Sequence, residues 1–133
     1  MSDPRPPLPA KQTLLLIVLP MLATVFTLRL YLHLVHVRHI YPGGYLVHHL
    51  FVGVLIQVPA AFLLAFGTRH RVLARVGLGV GTGLMLDEMV YLIATKASDA
   101  DYVSWISLIG SLVLILLAVI FLLALYARHR DEL

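Results

Sequence analysis

The sequence predicts an all-α, polytopic membrane protein with four transmembrane helices in an up-down bundle. The chain is 60% hydrophobic and 13% charged, whereas soluble domains are about half apolar and about a quarter charged. Four apolar runs are long enough to cross a bilayer as helices: residues 13–37, 45–67, 72–95 and 103–127. The turns between them are short, and short turns place successive helices antiparallel.

The flanking segments differ from this core. Residues 1–12 form a Pro-rich tail, residues 13–127 form the transmembrane domain, and residues 128–133 form a charged tail. The first apolar run is too long for a signal peptide and lacks a small-residue cleavage site, so we expect it to be retained. The chain has no cysteine, which excludes disulfides and thiolate metal sites.

The positions of lysine and arginine predict the orientation. Cytoplasmic segments collect these residues, and seven of them fall on one side of the predicted bundle: Arg5, Lys11, Arg69, Arg71, Arg75, Arg128 and Arg130. The other side has Arg38 and Lys96. We therefore expect both termini in the cytoplasm and the chain in the inner membrane. Because the basic residues lie at the ends of apolar runs, no nucleic-acid partner is expected.

Two adjacent carboxylates interrupt the third run, at Asp87 and Glu88 in LMLDEMVYL. A charge in a transmembrane helix costs roughly 2.5–3.5 kcal/mol and usually faces a partner inside the protein. Basic candidates lie at overlapping depths on the first two runs: Arg29, His33, His36, His48 and His49. This histidine cluster points to a polar pocket at the outer end of the bundle.

Helical spacing predicts which of these side chains face inward. Arg29, His33 and His36 share one face of the first helix. His48 and His49 are about 100° apart on an ideal helix, so only one of them should point inward. The spacing of His49 with Gly53 and Gln57 favours His49.

Small residues mark the expected helix contacts. Overlapping small-xxx-small patterns let neighbouring helices approach closely. They comprise Gly77, Gly79, Gly81 and Gly83 on the third run, and Ser104, Ser107 and Ser111 on the fourth. These faces would also permit a homo-oligomer.

The combination of imidazoles and carboxylates predicts a transition-metal site for Zn, Fe or Cu. The expected ligands are His33, His36, His48, His49, Glu88 and Asp87, with Asp87 either a ligand or a group that orients a ligand histidine. Arg29 would balance negative charge, Tyr91 would donate to a metal-bound oxygen, and Gln57 would lie close by. If the chain is an enzyme, the pocket is placed for a lipid or quinone-like substrate from the outer leaflet.

Other interpretations use the same residues. An ion pair of Arg29 with Asp87 or Glu88 could hold together a non-catalytic subunit, a transporter or a proton-relay component. A haem held by two histidines explains the imidazoles. A haem bound there would, however, lie next to the carboxylates of Asp87 and Glu88.

Two segments carry a resemblance: HHLFVGVLI, and GVGTGLMLDEMVYLI with its Gly-rich G-L-x-L-D-E pattern. Together they resemble a class of small, uncharacterised bacterial integral membrane proteins. The residues that carry it are His48, His49, Gly53, Gly81, Gly83, Asp87 and Glu88. The resemblance covers about a third of the chain and implies a bacterial four-helix membrane protein, without an activity.

Overall fold

The computed structural model describes residues 9–35, 47–66, 70–96 and 98–129, and within these ranges it contains helices and no strands. The helices are α1 (Ala10–Leu34), α2 (His49–Ala65), α3 (Arg71–Ala94), α4 (Asp99–Tyr102) and α5 (Trp105–His129). The prediction of an all-α fold is therefore confirmed for the described part of the chain.

Three helices, α1, α3 and α5, are long and apolar enough to cross a membrane. The second predicted span is shorter than expected, because α2 has 17 residues and begins only at His49. At 1.5 Å per residue it is about 26 Å long, close to the lower limit for a span. Pro20 lies inside α1 and Pro59 inside α2, where each removes one helical hydrogen bond without ending the helix.

Large apolar side chains point outward, and the apolar core is small. Met21, Val25 and Ile115 form the buried cluster. Phe26, Leu55, Phe66 and Trp105 are each more than two-thirds exposed. A soluble monomer rarely exposes large contiguous apolar surfaces, so this outer surface suits lipid.

The helices are arranged around α3. It packs against α1, α2 and α5, and α1 also packs against α5; among the long helices of the described ranges, α2 packs against α3 alone. The pairs that show direction along α3 are Ile17 with Gly79, Met21 with Gly83, His48 with Glu88, and Ala60 with Gly77. Thus α1 runs parallel to α3, and α2 runs antiparallel to it. The predicted bundle placed successive helices antiparallel; in the described ranges α1 and α2 both pack against α3 and not against each other.

Glycines make this central position possible. A Cβ added at Gly81 would lie 2.8 Å from both the Gly53 carbonyl oxygen and Gln57 Cβ. Added at Gly83, it would lie 2.7 Å from the Met21 carbonyl oxygen. A Cβ added at Gly79 would likewise collide with the backbone of Ile17. Gly79, Gly81 and Gly83 are therefore occupied by contacts within one chain.

The short helix α4 was not predicted. Ser98 and Asp101 form its capping box: the Asp101 N–H donates to Ser98 Oγ, and the Ser98 N–H donates to the Asp101 carboxylate. Such reciprocal bonds satisfy donors that a helix start leaves free. The result is a compact turn that brings Tyr102 back over the ends of α1 and α3.

Candidate functional site

The site is centred on the two carboxylates of α3, which are almost completely buried. Asp87 is 0% exposed and Glu88 is 3% exposed. A buried carboxylate requires hydrogen bonds and opposite charge to offset its lost hydration. Side chains from α1, α2 and α4 supply both, with the backbone of α2 adding one donor.

Arg29 is the charge partner of Asp87. Its Nε donates to Asp87 Oδ1 at 2.5 Å, and one terminal nitrogen donates to the Tyr102 carbonyl oxygen at 2.8 Å. The other terminal nitrogen contacts the Asp87 carbonyl oxygen at 3.0 Å and the hydroxyls of Ser107 and Ser111 at 3.1 Å each. All three guanidinium nitrogens therefore have acceptors, which is how a buried arginine is stabilised. The two serines that were predicted as packing residues act here as hydrogen-bond acceptors.

Tyr102 was missed as a site residue and is central to it. Its hydroxyl donates to Asp87 Oδ2. Its ring lies 4.3 Å from Arg29 Cζ, in cation–π contact, and meets the rings of His49 and Tyr91 edge to face. Burial, and then the negative charge of Asp87, raise the pKa of the Tyr102 phenol. The group therefore stays protonated and remains a donor.

Glu88 connects α3 to the start of α2. Its Oε1 lies 2.6 Å from His48 Nδ1, and its Oε2 accepts a 2.6 Å hydrogen bond from the Leu50 N–H. The first turn of α2 has no acidic residue, and the N-cap side chain makes no capping bond. Glu88 thus caps α2 from a neighbouring helix and places negative charge at its positive end.

His49 lies between the two acids. Its Nε2 is 3.2 Å from Asp87 Oδ2, and its Nδ1 is 3.4 Å from Glu88 Oε2. Both ring nitrogens therefore face carboxylate oxygens. The Nε2–Oδ2 contact is a hydrogen bond, and an ionised carboxylate only accepts, so Nε2 is its donor.

The expectation that only one of His48 and His49 points inward is wrong. His48 precedes α2 as its N-cap residue, with an extended backbone (φ −78°, ψ 140°). The 100° rotation between helical neighbours does not apply to a residue outside the helix. Both imidazoles consequently reach the acids, and their side chains remain 19% and 20% exposed, respectively.

The predicted metal centre is not assembled in the described part of the chain, where no three His, Asp or Glu side chains form a group that could hold a metal ion. Each oxygen of Asp87 and Glu88 already contacts a protein donor. His49 directs both ring nitrogens at carboxylate oxygens. His33 lies exposed in the last turn of α1. His36, the remaining predicted ligand, falls outside the described residues.

The other predicted residues divide between the site and its surroundings. Tyr91 is buried against His48 and Tyr102. Gln57 lies further along α2, where its amide oxygen accepts a 3.4 Å bond from Thr82, and not beside the acids. Ser104 donates to the Asp101 carbonyl oxygen at 2.6 Å and accepts from the Ser107 N–H. It therefore shapes the start of α5.

An open groove of about 460 Å³ follows α1. Its lining residues are Ala23, Thr24, Thr27, Leu28, Tyr31 and Leu84. None of them belongs to the His–carboxylate network. This groove therefore gives no direct support to a lipid or quinone-like substrate at the acids.

Comparison with known proteins adds no relative. No protein-family model matches the chain, and no curated protein or solved structure shows significant similarity to it. The resemblance of the His-His and G-L-x-L-D-E segments to small bacterial membrane proteins stays a prediction.

Proposed function

We propose that the chain is a four-pass inner-membrane protein that serves as a non-catalytic proton-relay component of a membrane assembly. In this proposal α2 is the fourth span, and both termini face the cytoplasm. The distribution of Lys and Arg, seven against two, supports this orientation. The exposed apolar surfaces of all four long helices support burial in lipid.

One observation carries the proposal: an unbroken series of polar contacts inside an apolar bundle. It runs from His48 to Glu88, then to His49, Asp87 and Tyr102, with every link at 3.4 Å or less. Series of Asp, Glu and His side chains within the membrane mark proton relays. The partial exposure of both histidines gives this series a connection to water.

Charge balance supports a mobile proton. Asp87 and Glu88 contribute two negative charges, and Arg29 offsets one of them. The remaining charge requires a further positive charge in a region of low dielectric constant. A proton shared among Glu88, His48 and His49 supplies it, whereas Asp87 is held as an anion by Arg29.

The same geometry supports a role within a larger assembly. Away from the site, the sequences of α2 and α3 contain no further His, Asp or Glu, and Gln57 accepts a hydrogen bond from Thr82. A single chain therefore provides a relay over half the membrane depth. A partner that completes the path would receive or deliver the proton.

Solid-state NMR of the full chain in lipid bilayers tests the relay. Because the proton is shared, exchange spectroscopy should show proton exchange between the ring nitrogens of His48 and His49, and Glu88→Gln should abolish it. The exposed His33 provides the internal control, since it should show no exchange with either ring. Absence of exchange between His48 and His49 in the unaltered protein would contradict the relay.

A further inference from the structure

We propose that Tyr102 is an aqueous gate: its side chain closes the α4 end of the His–carboxylate site, and water and water-soluble reagents reach the Arg29–Asp87 pair when it swings out. This inference goes beyond the proposed relay. It concerns access from water, and it would hold equally if the network served only to join the helices.

The first support is the contrast between Tyr102 and its neighbours. Tyr102 is 8% exposed, whereas Val103 is 56% exposed and Trp105 is 75% exposed. One aromatic side chain of this connection therefore turns inward, while the next large apolar groups turn outward. Tyr and Trp ordinarily place their polar end in water at a membrane surface. Tyr102 instead directs its hydroxyl into the protein.

The second support is what the side chain covers. The Tyr102 ring lies on the Arg29 guanidinium, and that guanidinium in turn lies on the Ser107 and Ser111 hydroxyls. Both serines are 0% exposed. The phenol also contacts Asp87 Oδ2 and the ring of His49. Removing this one ring would uncover the charged pair from the α4 end.

The third support is how α4 is held. It is a single turn whose capping bonds involve Ser98 and Asp101, and these hydrogen bonds are exposed to solvent. Short segments held by exposed hydrogen bonds open locally at low free-energy cost. The end of α4 that faces the site is held by the Tyr102 hydroxyl, carbonyl oxygen and ring, and by the Asp101 carbonyl oxygen, which accepts from Ser104. Tyr102 therefore supplies most of the contacts that keep α4 closed over the site.

Cysteine accessibility tests the gate, because the natural chain contains no cysteine. Ser107→Cys is a small change at a fully buried position, and Ser98→Cys reports an exposed position. The full chain in liposomes is treated with a charged, water-soluble methanethiosulfonate reagent. The labelling rate is measured by mass spectrometry with Tyr102 intact and in Tyr102→Ala, Tyr102→Leu and Trp105→Ala backgrounds.

With Tyr102 intact, the cysteine at position 107 should react at least about tenfold more slowly than the cysteine at position 98, because reaction requires opening of α4. Tyr102→Ala should remove most of that difference, and Trp105→Ala should leave it unchanged. Tyr102→Leu keeps a bulky side chain without the hydroxyl, so it should give an intermediate labelling rate. This variant replaces Tyr102→Ala in the comparison if the alanine variant does not fold. Fast labelling with Tyr102 intact would overturn the gate. Unchanged slow labelling in a folded Tyr102→Ala or Tyr102→Leu protein would also overturn it.

Discussion

Arg29 Nε donates to Asp87 Oδ1 across 2.5 Å, joining α1 to α3 between residues 58 positions apart in the sequence. The carboxylate is completely buried, and the arginine side chain is 14% exposed. Asp87 therefore has no contact with water while Tyr102 and the helices remain in place. The pair therefore fixes the register of α1 on α3, and its two members depend on each other.

Removing either partner should destabilise the protein. Arg29→Gln or Asp87→Asn leaves one buried charge unpaired, which costs about 3–5 kcal/mol. The double variant Arg29→Gln/Asp87→Asn removes both charges. Its loss of unfolding free energy should be much smaller than the sum of the losses in the two single variants. Unfolding in detergent, followed by circular dichroism, measures these differences. Lys11→Gln, at an exposed position of the same helix, is the control, and additive losses in the double variant would contradict a direct pair.

Gly81→Ala should separate α2 from α3. The added methyl group would lie 2.8 Å from atoms of both Gly53 and Gln57, and overpacking of this kind costs about 1–3 kcal/mol. Gly77→Ala is a matched control on the same helix, because its methyl group would lie 3.1 Å from Ala60 Cβ, so the neighbouring helix would need to shift by only a few tenths of an ångström. In thermal unfolding, the midpoint temperature of Gly81→Ala should lie clearly below that of Gly77→Ala. Equal midpoints would mean that the backbone contact is not tight.

Glu88 should control fraying of the α2 N-terminus. Its Oε2 accepts from the Leu50 N–H, whose intrahelical partner is missing at this position. Glu88→Ala should therefore accelerate hydrogen exchange at Leu50, and Glu88→Gln, which retains an acceptor oxygen, should accelerate it less. Amide exchange measured by mass spectrometry or NMR gives the comparison. The amide of Phe62, near the other end of α2, should not change, and a uniform acceleration along α2 would indicate general unfolding.

Elemental analysis separates the relay from the metal hypothesis. Because every oxygen of Asp87 and Glu88 contacts a protein donor, we expect protein purified without chelator or a His-tag to contain much less than one equivalent of Zn, Fe or Cu. Its optical spectrum should lack a haem band. About one equivalent of a transition metal, lost in both Glu88→Gln and His49→Ala, would instead establish the metal site.

The capping box of α4 should depend on pH. Hydrogen bonds from Ser98 hold the pKa of Asp101 below its usual value. A lowered carboxyl pKa contributes stability at higher pH, and this contribution is lost as the pH falls through the folded-state pKa. The Asp101 amide, which donates to Ser98 Oγ, should therefore shift in an acid NMR titration. In Ser98→Ala the transition should move to higher pH; an unchanged titration would contradict the box.

The amino-acid sequence determined the class of the protein and much of its secondary structure. Long apolar runs have few alternatives to helices in a membrane, since lipid offers no partner for backbone N–H and C=O groups. The expected run 72–95 thus corresponds closely to α3, Arg71–Ala94. Burying Asp87 and Glu88 costs free energy unless both have polar partners. This need for partners could be recognised from the sequence.

Only the tertiary structure decided which side chains became the partners of Asp87 and Glu88. The extended backbone at His48, the capping of α2 by Glu88 and the insertion of Tyr102 depend on how a turn closes over neighbouring helices. Helical periodicity carries no information about such turns, because residues outside a helix do not follow its 100° rotation. Whether four polar side chains bind a metal or one another is decided by distances and donor directions between α1, α2, α3 and α4. Those arise when the helices pack, because close contacts at Gly79, Gly81 and Gly83 set the spacing between them.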